Sequence, residues 1–143
     1  MREICFVCTG NTCRSPMAEK LLNKHLKELS VSDVKVKSLG LCVCDGETMS
    51  TKAAKALKPF GIRCGKRKAK QISSKDLKKD ILFITMTKEQ KLAFGDFNNV
   101  FVINEIATGE EVIDPFDKGE EEYARCANIL DEYAKQIAKI FLK

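Results

Sequence analysis

Strands alternate with helices along this chain, and that order limits the fold more than any composition figure. Ile81-Leu82-Phe83-Ile84-Thr85 is an unbroken apolar run, the pattern of a strand buried on both faces of a parallel sheet. Ile4-Cys5-Phe6-Val7 and Val100-Phe101-Val102-Ile103 are shorter runs of the same kind. Val34-Lys35-Val36-Lys37-Ser38-Leu39 alternates as a strand with one wetter face does, and Gly40 closes it. Helical spacing fills the gaps. Met17, Leu21, Leu22, Leu26 and Leu29 form a stripe behind Ser15-Pro16, with Pro16 suited to a first turn. Ser50 to Leu57 reads as a second helix ended by Pro59 and Gly61, and Ser73 to Asp76 as a short helical turn. Thr87-x-x-Gln90 can cap a helix reaching about Phe94. An irregular acidic stretch is expected from Asn104 to Lys118. A last helix follows from Gly119 to Phe141, with Tyr123, Ala127, Leu130, Ala134, Ile137 and Phe141 on one stripe. The expectation is an α/β fold: one three-layer sandwich with a four-stranded parallel sheet, in a single domain over residues 1–143. In such sheets ligands bind beyond the carboxyl ends of the strands. The chemistry is therefore expected in the loops after Val7, Leu39, Thr85 and Ile103.

Composition narrows the function. No apolar run approaches the ~20 residues that span a bilayer. Met1-Arg2-Glu3 leads straight into the first apolar run with no small-residue cleavage site, so the expected compartment is the cytoplasm, with no membrane partner. The seven cysteines are an odd count, which together with the missing export signal points to reduced thiols. No second Cys-x-x-Cys accompanies Cys5-x-x-Cys8, and His25 is the sole histidine, so no metal site is expected. His25 lies beside the first helical stripe and reads as a boundary residue. The net charge of +5 is uneven: 11 basic residues and one acid lie between Lys52 and Lys79. No aromatic side chain interleaves with Lys66-Arg67-Lys68-Ala69-Lys70 to stack on bases. That segment reads as a solvated face, and nucleic acid is not an expected partner.

The loop after the first strand carries the chemistry: Cys8-Thr9-Gly10-Asn11-Thr12-Cys13-Arg14-Ser15. A tight loop entering a helix points backbone N–H groups inward, and the helix N-terminus adds positive potential, which together cradle an anion. Gly10 allows close approach, and Asn11 tolerates a left-handed backbone. Arg14 can grip two phosphate oxygens with its planar fork. The same field favours a thiolate at Cys8, a nucleophile that Ser15 can hydrogen-bond. Thr9, Thr12 and Cys13 complete the cradle, so inorganic phosphate or a similar oxyanion is an expected occupant. A cysteinyl-phosphate route also needs an acid for the leaving group and then a base for water. Asp114-Pro115-Phe116 supplies a candidate acid and an apolar wall, within a stretch holding eight acids and one lysine from Glu105 to Glu122.

These residues make the chain resemble the low-molecular-weight protein-tyrosine phosphatase family over essentially its full length. The resemblance rests on Cys8-Thr-Gly-Asn-Thr-Cys-Arg-Ser-Pro-Met-Ala-Glu19, the Ser38-Leu39-Gly40 turn, Met86-Thr87, and Asp114-Pro115-Phe116. It implies phosphorylated proteins as substrates, a cysteinyl-phosphate intermediate, and no cofactor. Cys8 would be the nucleophile, Arg14 the phosphate clamp, Ser15 the thiolate partner and Asp114 the general acid and then base, with Ser38 supporting Asn11. It also implies that Cys8 and Cys13 can close a reversible disulfide, which would protect Cys8 from irreversible oxidation. Thr12 stands where tyrosine-directed members usually carry isoleucine, and Asp117 where many carry a second aromatic. Thr12 looks like the protein-arginine phosphatase branch, and Asp117 argues against a deep aromatic slot for phosphotyrosine, which stays the alternative substrate. An arsenate reductase shares the cradle but needs further redox cysteines, and the stretch from Ile81 to Phe94 holds none. A non-catalytic phosphate-binding module would not need Cys8, Arg14 and Asp114 together.

Overall fold

The computed structural model describes residues 2–142. Its sheet has four parallel strands: β1 (Arg2–Cys8), β2 (Val34–Gly40), β3 (Ile81–Thr85) and β4 (Val100–Val102), in the order β2-β1-β3-β4. Helices α1 (Arg14–Glu28), α2 (Thr51–Ala56), α3 (Lys88–Leu92), α4 (Ile103–Ile106) and α5 (Glu120–Ile140) connect and flank the strands.

The pleat of β1 divides the core in two. Ile4, Phe6 and Cys8 face one layer, where they meet Met17, Leu21 and Leu22 of α1 and Ala127, Leu130, Ala134 and Ile137 of α5. Cys5 and Val7 face the other, with Phe83, Ile81 and Val100. There Phe83 packs edge-on against Phe97, with ring centroids 5.5 Å apart, and tilted against Phe94 at 5.6 Å. With β1 placed between β2 and β3, both of its faces are buried, which stabilises the fold by roughly 1.5–3 kcal/mol per large apolar side chain. His25, expected at a boundary, is half-buried and meets Asp131 of α5 through Nε2 at 2.7 Å, joining two helices of one layer.

Two sequence expectations need correction. Strand β4 ends at Val102, and Ile103 opens the short helix α4 instead of closing the strand. The cause is local: Glu105 Oε1 accepts from the Val102 N–H at 2.9 Å, stopping the ladder there. That interaction is the largest of those holding the Glu105 carboxyl below the usual carboxylate range, with Lys91 assisting. The stretch from Asn104 to Lys118 is thus partly helical at its start.

The topology changes direction beside β1. From β1 the chain passes through α1 to β2 on one side, then returns to β3 on the other. The crevice at the carboxyl end of β1 is therefore where a ligand site is expected, and Cys8 is the last residue of that strand.

Candidate active site

The loop between β1 and α1 is fixed from behind by its own side chains. Asn11 adopts a left-handed backbone, φ 56°, and is fully buried. Its Nδ2 donates to Ser15 Oγ at 2.8 Å and to Ser38 Oγ at 3.1 Å. Its Oδ1 accepts from the Lys70 N–H at 2.9 Å and from Arg67 Nη1 at 3.1 Å. Ser15 Oγ lies 2.9 Å from Cys8 Sγ. With Asn11 donating into that hydroxyl, its proton is free to point at the sulfur, the arrangement that supports a thiolate.

Arg67 and Glu19 extend the support. Arg67 Nη2 reaches Ser38 Oγ at 2.7 Å, the Ser38 carbonyl at 3.2 Å and Glu19 Oε1 at 3.3 Å, while Ser38 Oγ donates to Glu19 Oε1 at 2.7 Å. Arg67 belongs to the basic run Lys66 to Lys70, whose pattern predicts a solvated face. Its neighbours Lys66, Lys68 and Lys70 are exposed, but Arg67 turns inward. The only available signal was Glu19 inside an otherwise apolar helical face, a carboxylate needing a cation. Gly40 is required here for a different reason. A Cβ at Gly40 would lie 2.9 Å from Asn11 Cβ and 3.0 Å from the Thr9 carbonyl, so only glycine lets the end of β2 approach the loop. Gly10 has no such internal constraint: its nearest neighbour would be Thr12 Oγ1 at 3.7 Å, an ordinary contact.

The front of the loop opens into a pocket of about 220 Å³. Cys8, Thr9, Gly10, Thr12, Cys13 and Arg14 form its floor and one side, and Asp114 and Phe116 form a second wall. Cys42, Cys44 and Glu47, from the segment after β2, complete the lining, and motif reading did not assign them. That segment is tied to the cradle by Leu41 N–H to the Cys8 carbonyl at 2.9 Å and Cys42 N–H to the Thr9 carbonyl at 2.8 Å. Asn11, Ser15 and Ser38 do not line the pocket; the first two, expected among the substrate contacts, stand behind it as buried supports.

Arg14 is held at the junction of floor and wall. Its side chain is only 6% exposed, donates through Nη1 to the Val112 carbonyl at 2.9 Å, and places Nη2 3.5 Å from Asp114 Oδ2. The acidic stretch of the sequence thus delivers Asp114 against a cation. Asp114 Oδ1 accepts from the Phe116 N–H at 3.1 Å, which fixes the Asp-Pro-Phe turn. Cys13 Sγ lies 3.4 Å from the Tyr123 hydroxyl and 3.6 Å from Thr12 Oγ1. Burial pushes the Cys13 thiol above its usual range, and the Tyr123 hydrogen bond partly opposes that shift. Gln90, legible in the sequence only as a capping residue, also reaches the cradle: its Nε2 donates to Thr9 Oγ1 at 3.2 Å. Its Oε1 meanwhile accepts from the Met86 and Thr87 N–H groups.

Comparison with known proteins agrees with this arrangement. Residues 3–143 match the family model described as low molecular weight phosphotyrosine protein phosphatase. A low molecular weight protein-tyrosine-phosphatase PtpB of Staphylococcus haemolyticus is 36% identical over 120 residues, covering 80% of this chain and 81% of that protein. A protein-arginine-phosphatase of Bacillus subtilis is 33% identical over 144 residues, covering 96% and 95%. Among solved structures, a YwlE mutant from Bacillus subtilis superposes with a TM-score of 0.91 at 30% identity over all of both chains. A YwlE arginine phosphatase mutant with a phosphorylated active-site serine gives a TM-score of 0.86 at 31% identity, covering 96% and 94%.

Proposed function

The chain belongs to the low-molecular-weight phosphotyrosine protein phosphatase family, and from that premise we propose that it hydrolyses phosphorylated protein side chains through a cysteinyl-phosphate on Cys8, with phosphoarginine as its favoured substrate. One observation carries the chemistry. Cys8 Sγ is 2.9 Å from Ser15 Oγ at the floor of a pocket that also holds Arg14 and Asp114. The phosphoryl group sits in the cradle, its oxygens bound by loop N–H groups and the Arg14 fork. The Cys8 thiolate attacks phosphorus, and Asp114 gives its proton to the departing atom. A water then attacks the cysteinyl-phosphate, Asp114 takes its proton, and inorganic phosphate leaves. The phosphorylated active-site serine of the related YwlE mutant supports a covalent route. No helix among the described residues is long and apolar enough to cross a membrane.

The arginine reading rests on Thr12, a residue of the pocket lining. A phosphoguanidinium presents several N–H donors in a plane. The Thr12 hydroxyl can accept one and Asp114 another. Isoleucine would leave a desolvated donor unpaired, at a cost of ~1–3 kcal/mol. Thr12→Ile is therefore expected to lower kcat/KM for phosphoarginine peptides by ~5- to 150-fold, the rate equivalent of that cost. Activity on phosphotyrosine peptides should hold or rise. Measuring both substrates on both proteins gives the ratio; an unchanged ratio would make phosphotyrosine the better reading.

A further inference from the structure

We infer that Glu47 is a specificity-determining residue: its carboxylate, at the mouth of the pocket, holds the cationic end of a phosphoarginine side chain while Arg14 holds the phosphoryl end. The inference rests on the arginine reading above and deepens it. Charge in this pocket is separated by depth. Arg14 is the one cation among the lining residues, and it is nearly buried. Asp114 and Glu47 are the two carboxylates. Asp114 is already engaged, with one oxygen near the Arg14 guanidinium and the other accepting from the Phe116 N–H.

Glu47 differs. Its side chain is exposed and makes no hydrogen bond or ion pair with any described residue. Its backbone is nonetheless anchored: the N–H donates to the Cys44 carbonyl at 3.1 Å, and its carbonyl accepts from the Ala69 N–H at 2.9 Å. That second bond places it beside Lys66 to Lys70, the most basic run of the chain, yet the carboxylate stays unpaired. An unpaired carboxylate carried on an anchored backbone, in the lining of an anion cradle, suits a ligand that is negative at one end and positive at the other. A phosphoarginine side chain has this polarity, since its guanidinium spreads positive charge over nitrogens that carry N–H donors. Both phosphoryl groups are repelled by that carboxylate, but a phosphotyrosine brings no positive charge to offset the repulsion.

The test compares E47Q and E47K with the parent protein on phosphoarginine and phosphotyrosine peptides of one flanking sequence. For phosphoarginine, kcat/KM should fall ~2- to 5-fold in E47Q, the scale of one exposed ion pair. In E47K it should fall ~5- to 20-fold, since reversal replaces attraction with repulsion. The loss should appear in KM and leave kcat little altered, because the interaction is equal in ground and transition states. Phosphotyrosine turnover should move the other way in E47K. Both differences should shrink in ~1 M salt, where the screening length is about 3 Å. Thermal unfolding of the two variants establishes that they are folded. A parent protein that prefers phosphotyrosine overturns the arginine reading and this inference together. A parent that prefers phosphoarginine, with the same substrate ratio in E47K, overturns Glu47 alone.

Discussion

Two walls of one pocket are built in opposite ways. The cradle wall is saturated: Asn11 and Ser15 are fully buried, and Ser38 and Arg67 bind each other and the loop with no exposed polar atom left over on Asn11. The Asp114 wall is bare. The Asp114 side chain is 46% exposed, and its neighbours Ile113 and Phe116 are 83% and 64% exposed. Asp117, in the same turn, has φ 64°, a left-handed conformation unusual for a non-glycine residue. The wall is tethered from outside by Lys52 Nζ to the Lys118 carbonyl at 3.0 Å and by the Lys55–Glu120 pair just beyond. The difference fits the roles proposed for the two walls. A phosphoryl transition state needs donors that do not move when charge develops. A group that carries a proton to a leaving group and then takes one from water needs access to both.

The sharpest way to break this comparison is to remove one function from each wall. Cys8→Ser should lose turnover entirely while keeping the fold, because the hydroxyl is a far poorer nucleophile, and the cradle is held by Asn11, Ser38 and Arg67 instead of by the sulfur. Turnover of an aryl phosphate together with thermal unfolding checks both halves. Arg14→Lys should also fail, since a point charge cannot replace the bidentate fork. Asp114→Asn should cost less, ~10²- to 10⁴-fold in kcat, and the deficit should shrink for substrates with good leaving groups. A full rate on a poor leaving group would remove Asp114 from the mechanism.

How far each wall was legible in the sequence differs for the same physical reason. The alternation of strands and helices follows from apolar runs with distinct periods, though not the order of the strands in the sheet, and the cradle is contiguous in sequence, so Cys8 to Ser15 can be read as one loop entering one helix. Residues that support it arrive from elsewhere in the chain. Arg67 sits among lysines with the same local pattern, and only the fold distinguishes the one that turns inward to Glu19. Gln90 satisfies a capping rule and reaches Thr9 as well, and the second role leaves no mark on spacing. Cys42, Cys44 and Glu47 line the pocket from a segment with no periodicity at all. The boundary of β4 was misplaced by one residue because a side chain, Glu105, captured the backbone donor.

The comparison is sharpened by weakening the saturated wall without touching substrate. Arg67→Met removes the guanidinium while keeping much of the side-chain length. Asn11 Oδ1 keeps the Lys70 N–H, but Glu19 loses its only ion-pair partner among the described residues. Leaving a largely buried carboxylate with only the Ser38 hydroxyl and no cation costs ~1–3 kcal/mol. The expected result is a loss of stability on that scale in denaturant unfolding, with an accompanying drop in kcat that Arg67→Lys partly restores. An Arg67→Met protein as stable and as active as the parent would mean the cradle holds its shape unaided.

The smallest expected effect lies where the cradle meets α5. If Cys8 and Cys13 close a disulfide under mild peroxide, Cys8 is oxidised first to a sulfenic acid. The Cys13 thiolate then attacks that sulfur and displaces hydroxide. Burial raises the Cys13 thiol, so closure should accelerate with pH across the neutral range, by about tenfold per unit while the thiolate remains the minor form. Tyr123 acts on this step. Its hydroxyl is 3.4 Å from Cys13 Sγ, and burial pushes its own ionisation up to about 12, so it stays a donor wherever the protein is assayed. That donation favours the thiolate. Tyr123→Phe removes it, leaves the ring in the core, and should slow closure ~2- to 10-fold, the worth of a single modest hydrogen bond. Trapping free thiols at intervals after peroxide, with peptide mapping of the Cys8–Cys13 bridge, measures the rate in both proteins. Equal or faster closure in Tyr123→Phe would mean that the hydroxyl holds Cys13 away from Cys8, and that the pairing is governed by side-chain position instead of by ionisation.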